Sequence, residues 1–369
     1  MKNNHLSEAR HCDTECLAEF NHLTVSTSFR SHLLHILAPM STSSTILNNL
    51  SRQLFIYGGV CLSVMGIVGS CVNIILFTRP RYRRAPCTLF ILIGTFSDLF
   101  LLCFALLMYR VLNQIVDYDV VAFNHFLCKV RLYLVDTALP LPIWCICLST
   151  FNRYCITSRN AIRRQWCTAK RCQIMVAILV FASAGYRIPD LYYATILSAG
   201  SRLVCAVSVS NAAYLNLHYY FTFPVLATTA PLIVLLILTI LTRANIRLFT
   251  AQQTASRIEQ QLTSMILLQA LGAACLVPFT INMFYLTITK FASKSEYQIA
   301  VENLITQIVT LGFYAHYASS FYIYLIASPD IRRSVQSVWY RIRGKLDTAN
   351  QIAPMSTRTT PARQLNTLS

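Results

Sequence analysis

Uninterrupted apolar stretches dominate the chain, and the polar residues are gathered between them. Each stretch holds roughly 20 residues or more, the length that a helix needs to cross the hydrocarbon core of a bilayer. Because these stretches are continuously apolar rather than alternating, they predict membrane helices and not barrel strands. The seven predicted spans are residues 54–78, 87–111, 127–151, 173–194, 217–242, 260–288 and 301–327.

Composition supports this interpretation. Hydrophobic residues make up 55% of the chain and charged residues only 12%, whereas soluble domains carry about 25% charged residues. We therefore predict an all-α membrane protein, a seven-transmembrane helix bundle. It would consist of an extracellular N-terminal segment (1–52), the membrane domain (53–328), an amphipathic eighth helix on the membrane surface (329–343) and a disordered cytoplasmic tail (344–369).

The net charge of +17 is unevenly distributed. In a soluble protein such a charge would suggest a nucleic-acid partner. Here 19 of the 31 Lys and Arg residues, not counting Arg153 at the foot of the third span, follow the first, third or seventh span or lie between the fifth and sixth. The positive-inside rule then places these segments in the cytoplasm and the N-terminus outside, as expected for a multi-pass protein of the plasma membrane. Basic residues beside anionic lipid favour the bilayer as their partner instead of nucleic acid.

Besides Cys12 and Cys16 in the N-terminal segment, two of the 14 cysteines stand at the predicted outer face. Cys128 opens the third span, and Cys205 lies in the loop between the fourth and fifth. An oxidising compartment favours a disulfide between them, the alternative being two free thiols. Whether Cys12 and Cys16 pair stays open, as does glycosylation of Asn49, whose sequon lies close to the first span.

Short sequence motifs, each different, follow one another along the spans. They are Gly69-Ser70-Cys71-Val72-Asn73, Phe96-Ser97-Asp98-Leu99, Asn152-Arg153-Tyr154, Pro231, Cys275-Leu276-Val277-Pro278 and Ser320-Phe321-Tyr322-Ile323-Tyr324. Together with Cys128 at the head of the third span, this series resembles the rhodopsin-like (class A) G-protein-coupled receptors over about residues 53–343. The chain departs from the family pattern at several positions. Asn152 stands where the family has an acidic residue, and Leu276 stands where it has a tryptophan. Ser320 and Phe321 replace an asparagine and a proline.

The resemblance implies a receptor that couples an extracellular ligand to a heterotrimeric G protein, with an arrestin-like partner for a phosphorylated tail. It assigns coupling and switching to Asn152, Arg153, Tyr154, Tyr324 and Glu259, the polar core to Asn73, Asp98 and Ser320, and the hinge of the sixth helix to Cys275, Leu276 and Pro278. Because Asn152 lacks the family's negative charge, we expect elevated basal activity. The alternative for Arg153 is an interfacial arginine that snorkels to the membrane surface.

Asp98 is the clearest ionisable residue inside a predicted span. A charge in hydrocarbon is costly, so such residues are usually functional. The resemblance implies a sodium ion here, but Pro142 and Ser320 occupy positions where the family has its partner residues. A sodium site and a structural aspartate bonded to Asn73 both remain open. We expect no other cofactor and no metal, and the sequence shows no catalytic constellation of an enzyme.

The class of ligand is inferred by excluding amines and retinal. Amine receptors of this family carry an aspartate 18 residues before the arginine, where this chain has Val135; Asp136 is one residue later, although Pro140 and Pro142 predict a kink that could shift the register. The seventh span has no lysine for retinal. A peptide ligand is therefore favoured over an amine or another small molecule, and a transporter or channel would need repeats and midplane charges that the sequence does not show. The predicted pocket comprises Tyr133, Asp136, Tyr219, Asn282, Tyr285, Gln307 and Tyr314, with Arg187 and His218 as further candidates.

Overall fold

A computed structural model describes most of the chain. The described residues are 27–83, 87–116, 122–158, 160–165, 167–199, 202–207, 212–250, 273–289, 292–329, 331–337 and 340. They fall into two compact units, one within residues 1–52 and 292–305 and the other within 53–291 and 306–369. The predicted residue Glu259, the pair Cys12 and Cys16, and the tail 344–369 lie outside the described residues.

Helices make up almost all of the described structure. The α-helices are α1 (Thr27–Phe77), α2 (Pro80–Arg83), α3 (Cys87–Phe100), α4 (Leu112–Val116), α5 (His125–Ala138), α6 (Leu141–Ile156), α7 (Ala161–Arg164), α8 (Ala169–Tyr186), α9 (Ile188–Tyr193), α10 (Ala212–Asn216), α11 (Ala230–Thr250), α12 (Leu276–Ile288) and α13 (Glu296–Ala327). Wider π-helical turns join α3 to α4 (Leu101–Val111) and α10 to α11 (Leu217–Thr229). A 3₁₀ turn (Ala273–Cys275) precedes α12, and residues 331–337 are helical.

Five helical segments are long and apolar enough to cross a membrane. We call them the first to fifth spans: Ser43–Phe77, Thr88–Val116, His125–Ile156, Ala169–Tyr193 and Tyr220–Asn245. They confirm the first five predictions, although α1 begins well before residue 54. The predicted sixth span is described only from residue 273, and its helix α12 is short. Helix α13 covers the predicted seventh span but carries polar residues, among them Gln307 and His316.

The third span is broken in its middle, as its prolines predict. Helix α5 ends at Ala138 and α6 begins at Leu141. Pro142 has no amide hydrogen to donate to the carbonyl of Ala138. The hydroxyl of Ser97 donates to that carbonyl instead, at 2.9 Å. The carbonyl of Ala138 is therefore paired despite the break. The break separates the half of the span that begins near Cys128 from the half that ends near Arg153.

A short β-hairpin follows the fourth span and was not predicted. Strand β1 (Ala194–Ala199) pairs antiparallel with β2 (Arg202–Val207), with Ile196 opposite Cys205. The sequence did hold a signal, because a Gly-Ser pair between two short apolar stretches is a sequence pattern that favours a hairpin. The hairpin places Cys205 in the middle of a strand, where its position is fixed by backbone hydrogen bonds.

Candidate functional site

A disulfide ties the hairpin to the beginning of the third span. Cys128 and Cys205 are bonded, with Cα atoms 5.6 Å apart, and both residues are buried. Helix α5 is started locally by Asn124, whose side-chain oxygen accepts a hydrogen bond from the amide of Phe126 at 2.8 Å. The predicted bridge is thus confirmed. We call this end of the third span the disulfide end, and the opposite end the Arg153 end.

Replacing Cys128 with serine should reduce surface expression and thermal stability. The bridge joins residues 77 positions apart, and in the chain-entropy model closing a loop of that size contributes about 4 kcal/mol. Surface staining and thermal unfolding of the solubilised protein would measure the effect. Cys71→Ser is the matched control, because Cys71 is a free, exposed cysteine. Unchanged expression and stability of the Cys128 variant would refute a stabilising bridge.

A buried charge cluster lies near the disulfide end. The Arg187 atom Nη1 is 3.5 Å from Asp136 Oδ2 and 3.6 Å from Asp190 Oδ2. The same nitrogen is 3.0 Å from His218 Nδ1. Because a guanidinium only donates, Nδ1 must accept this hydrogen bond. The hydroxyl of Tyr214 donates to Asp190 Oδ1 at 2.5 Å. We call Asp136, Arg187, Asp190, Tyr214 and His218 the Arg187 cluster.

The electrostatics of the Arg187 cluster centre on one guanidinium between two carboxylates. The side chain of Asp190 is fully buried, and those of Arg187 and Asp136 are 4% and 13% exposed. Burial and the hydrogen bond to Asp190 raise the pKa of Tyr214. One ligand atom each of Asp136, Asp190 and His218 lies within 4.8 Å of the others, a spacing suited to a metal ion. Arg187 Nη1 lies against all three of these residues and supplies a positive charge there.

The Arg187 cluster changes the interpretation of Asp136. The sequence suggested this residue as a pocket acid, and the structure pairs it with Arg187. Asp190 and Tyr214 were missed as site residues. The signal for Asp190 was its place three residues after Arg187 near the end of a membrane span, where two ionisable residues rarely occur without a partner.

The other predicted pocket residues do not form one contiguous site. Asn282 is buried and donates to the hydroxyl of Thr306 at 3.1 Å. Tyr314 is buried beside Phe313 and Tyr317. Tyr285 is 48% exposed, Tyr133 and Gln307 are half-buried, and the side chain of Tyr219 lies outside the described part.

An apolar cavity of about 490 Å³ lies between the third, fourth and fifth spans. None of the seven predicted pocket residues lines it. Trp144 lines one wall and donates to the carbonyl of Leu226 at 3.2 Å. Polar atoms come from Arg187 and from the hydroxyls of Tyr186 and Thr222, which are 2.6 Å apart. The cavity therefore touches the Arg187 cluster from the side of the fourth span.

The predicted polar core is assembled around Asp98. Ser320 donates to Asp98 Oδ2 at 3.0 Å, while Oδ1 has no hydrogen-bond partner among the described residues. The amide of Asn73 is buried and, within the same residues, also has no partner, so the structure does not pair it with Asp98. A cavity of about 20 Å³ beside Asp98 is lined by Ser149 and His316 among others, which is enough room for one water molecule.

The residues around Asp98 fit a sodium ion only in part. Sodium, as a hard cation, requires several oxygen ligands, and the lining offers the Asp98 carboxylate and the hydroxyls of Thr95, Ser149, Ser320 and Tyr324. Thr95 donates to the carbonyl of Ile91 and Ser320 to Asp98, and Pro142 and His316 supply no side-chain oxygen. Because the cavity of about 20 Å³ fits sodium only in part, we derive no step that depends on sodium.

The predicted hinge residues lie at the start of α12. Cys275 ends the 3₁₀ turn and is exposed, whereas Leu276 is 1% exposed within the main core cluster. Two residues after the hinge leucine, Pro278 lies in the first turn of α12, where a missing amide hydrogen is tolerated. Phe279 packs against Phe313 with ring centroids 4.4 Å apart. The hinge is therefore anchored on α13 by aromatic packing.

At the Arg153 end, an arginine is held inside the protein. Arg153 is 6% exposed, and its Nε has no hydrogen-bond partner among the described residues. Asn152 is directed to the fourth span, where its Oδ1 accepts from the Cys172 thiol at 3.6 Å. Tyr154 accepts a hydrogen bond from Arg163 at 2.7 Å. Burial of Arg153 speaks against the snorkelling alternative.

Tyr324 connects the end of α13 to the first span. Its ring packs edge-on against Phe77, with centroids 5.5 Å apart. Both belong to a buried cluster with Ile331, from the helical residues 331–337. The hydroxyls of Tyr82 and Ser334 lie 2.9 Å apart and fix the same segment. The residues after the seventh predicted span thus pack against the bundle through Ile331.

The family of the chain follows from a comparison with known protein families. A model of the family described as 7 transmembrane receptor (rhodopsin family) matches residues 69–320. This range begins with the motif that contains Asn73 and ends at Ser320, so it includes the Arg187 cluster, the hinge residues and Arg153. No curated protein sequence matches the chain.

Proposed function

The chain belongs to the rhodopsin family of seven-transmembrane receptors, and on that premise we propose that it transmits an extracellular signal to a heterotrimeric G protein. The observation that carries this proposal is the third span. Its disulfide end holds Asp136 against Arg187, and its other end holds the buried Arg153. A ligand that changes the packing of one end can therefore bias the arrangement of the other, which is the physical requirement for coupling two sites.

A peptide is the favoured ligand. The carboxylate of Asp136 faces Arg187 at 3.5 Å, so an amine would have to displace a buried guanidinium to reach it. In the described residues the hairpin has two strands, and such a hairpin leaves backbone edges to which an extended peptide can add. These two features support a peptide ligand over an amine or another small molecule. A receptor for either of these alternatives would have the same fold. Transport or channel activity has no supporting observation.

The orientation and the inner partners follow from the charge distribution. The N-terminus would lie outside at the plasma membrane, and the basic segments would meet the G protein and anionic lipid. Residues 331–337 would belong to the amphipathic helix at the membrane surface, and the phosphorylated tail would recruit an arrestin. An epitope tag at residue 1 tests the orientation, because only an outer N-terminus is stained on intact cells.

The proposed function is tested by a ligand screen with a readout for each class of G protein. We expect fractions of a peptide library to activate at least one class in cells that express the receptor, and no response with Arg153→Ala at equal surface expression. A screen of amines runs in parallel. A response to an amine that is lost in Asp136→Asn would favour the amine alternative, and a peptide response that survives Arg153→Ala would contradict coupling through this residue.

A further inference from the structure

The apolar cavity between the third, fourth and fifth spans has no part in the proposed function. Two irregular helices make room for it. Pro140, at the break of the third span, lines one side, and the π-helical turns of the fifth span (Leu217–Thr229) line another. Such turns within a helix are frequent at functional sites. Small side chains, among them Ala182 and Ala227, leave the space between the spans unfilled.

The cavity opens on the surface of the fourth span. Ile178, Ala182 and Tyr186 line it at a spacing of four residues, so they lie along one face of the helix. Ile178 is 63% exposed and Tyr186 is 38% exposed, and Ala182 is exposed between them. An exposed face within a membrane span meets acyl chains and not water. We call the space behind these three residues the lipid-side cavity, because its entrance faces the bilayer.

The interior of the lipid-side cavity suits an apolar molecule. Its volume of about 490 Å³ is within the range of small-ligand pockets, roughly 300–1,000 Å³. Trp144, Leu148 and Leu179 contribute apolar walls, between which a water molecule would lack the about two to four polar partners that it needs. The indole of Trp144 is fixed by its hydrogen bond to the carbonyl of Leu226. A flat apolar body can therefore pack against a wall that is already oriented.

One end of the cavity offers a hydrogen-bond acceptor. The Thr222 hydroxyl has a single hydrogen, which it donates to the carbonyl of Leu217 at 3.1 Å. Tyr186 must therefore be the donor in its 2.6 Å hydrogen bond with Thr222. Among the described residues nothing donates to the phenol oxygen of Tyr186, so this oxygen can accept from a bound molecule. The cavity thus requires a donor at this end.

The charges near this end select a neutral donor. Arg187 lines the same end. An ammonium group would donate to Tyr186 but would lie against this guanidinium. A carboxylate has no hydrogen to donate, and it would join Asp136 and Asp190, which already face the guanidinium. A hydroxyl group donates to Tyr186 without adding charge, and therefore fits where both ionic groups do not.

We propose that the lipid-side cavity binds a flat, neutral membrane alcohol of the sterol class, which donates its hydroxyl hydrogen to Tyr186 and packs its rings against Trp144. A rigid ring system loses less conformational freedom on binding than an acyl chain does. The bilayer holds such a molecule at the entrance. The site lies apart from the seven predicted pocket residues and from Arg153, so it does not depend on the class of the extracellular ligand.

Binding of radiolabelled cholesterol to the purified full-length receptor in detergent tests the proposal. We expect saturable binding, with the methyl ether of cholesterol competing at least about tenfold more weakly, because the ether cannot donate and one hydrogen bond is lost. Tyr186→Phe should raise the half-maximal concentration by a similar factor. Ala182→Phe should abolish binding, because its ring fills the entrance. Tyr192→Phe and Ala177→Phe are the matched controls, since both positions are exposed and lie outside the lining.

Several outcomes would overturn the proposal. Binding that does not saturate, or wild-type binding by Ala182→Phe, excludes a site in this cavity. Equal competition by the methyl ether, or unchanged affinity of Tyr186→Phe, excludes the hydrogen bond. Equal competition by hexadecanol assigns the cavity to straight-chain alcohols, and equal competition by palmitate assigns it to fatty acids.

Two features keep this test decisive. Melting temperatures show whether each variant is folded, and a folding failure of one variant leaves the other to decide, because Tyr186→Phe removes one oxygen while Ala182→Phe adds a ring at the lipid-facing surface. The assay contains no G protein. A failure to bind cholesterol therefore leaves the proposed function intact, and a silent receptor that binds cholesterol refutes only the proposed function.

Discussion

Replacement of Arg187 with methionine is expected to destabilise the receptor strongly. Methionine fills a similar volume but removes the charge that lies within 3.6 Å of both Asp136 and Asp190. Removing one partner of a buried ionic group leaves an uncompensated charge and typically costs about 3–5 kcal/mol. Two carboxylates would then face each other in a largely buried site. We expect little receptor at the cell surface and a clearly lower melting temperature in detergent.

A rescue experiment separates this electrostatic effect from lost packing. In the triple variant Arg187→Met, Asp136→Asn, Asp190→Asn, no buried charge remains in the Arg187 cluster, and Asp190→Asn keeps an oxygen to accept from Tyr214. We expect the triple variant to recover a large part of the lost melting temperature. Arg333→Met, at an exposed position, should behave as wild type. Wild-type stability of the single Arg187 variant would show that the Arg187 cluster does not stabilise the bundle. A triple variant with the same melting temperature as the single variant would show the same.

The features that need no knowledge of helix packing could be predicted from the sequence. Five spans, the disulfide and the break at Pro140 depend on hydrophobic length, compartment and backbone chemistry, and each is present in the structure. Pro140 and Pro142 interrupt the third span because proline cannot donate a backbone hydrogen bond, whatever surrounds it. Predictions of this kind need no knowledge of neighbouring helices.

The features that depend on two or more helices could not be predicted. Whether Asp136 meets a ligand or Arg187 depends on the rotation and tilt of the third and fourth spans, which hydrophobic periodicity does not determine. Asn152 illustrates the same limit. The resemblance assigned this residue to coupling and switching beside Arg153, whereas the partner of its side chain, the Cys172 thiol on the fourth span, could not be predicted.

The Arg153 end gives the second large expected effect. Replacing Asn152 with aspartate should lower basal G-protein activation about tenfold, while Arg153→Ala should abolish it. A carboxylate beside the buried guanidinium would form a charge-assisted pair in the resting arrangement. A preference of about 1.4 kcal/mol for that arrangement reduces a minor active population roughly tenfold. Wild-type Asn152 supplies no such charge, and Arg153 Nε has no partner in the described residues.

The measurement compares unliganded signalling of wild type, Asn152→Asp and Arg153→Ala at matched surface expression. Asn160→Asp is the charge control, because Asn160 is exposed and caps Ile162 through its side-chain oxygen, a role that aspartate keeps. Equal basal signalling in wild type and Asn152→Asp would contradict a charge-dependent clamp. Wild-type signalling no higher than that of Arg153→Ala would contradict elevated basal activity. In the wild type, Asn152 is directed to Cys172. A lower basal signal in Asn152→Asp would therefore mean that the new carboxylate turns from the fourth span to Arg153. The melting temperature should then fall little, because a hydrogen bond from a thiol is weak.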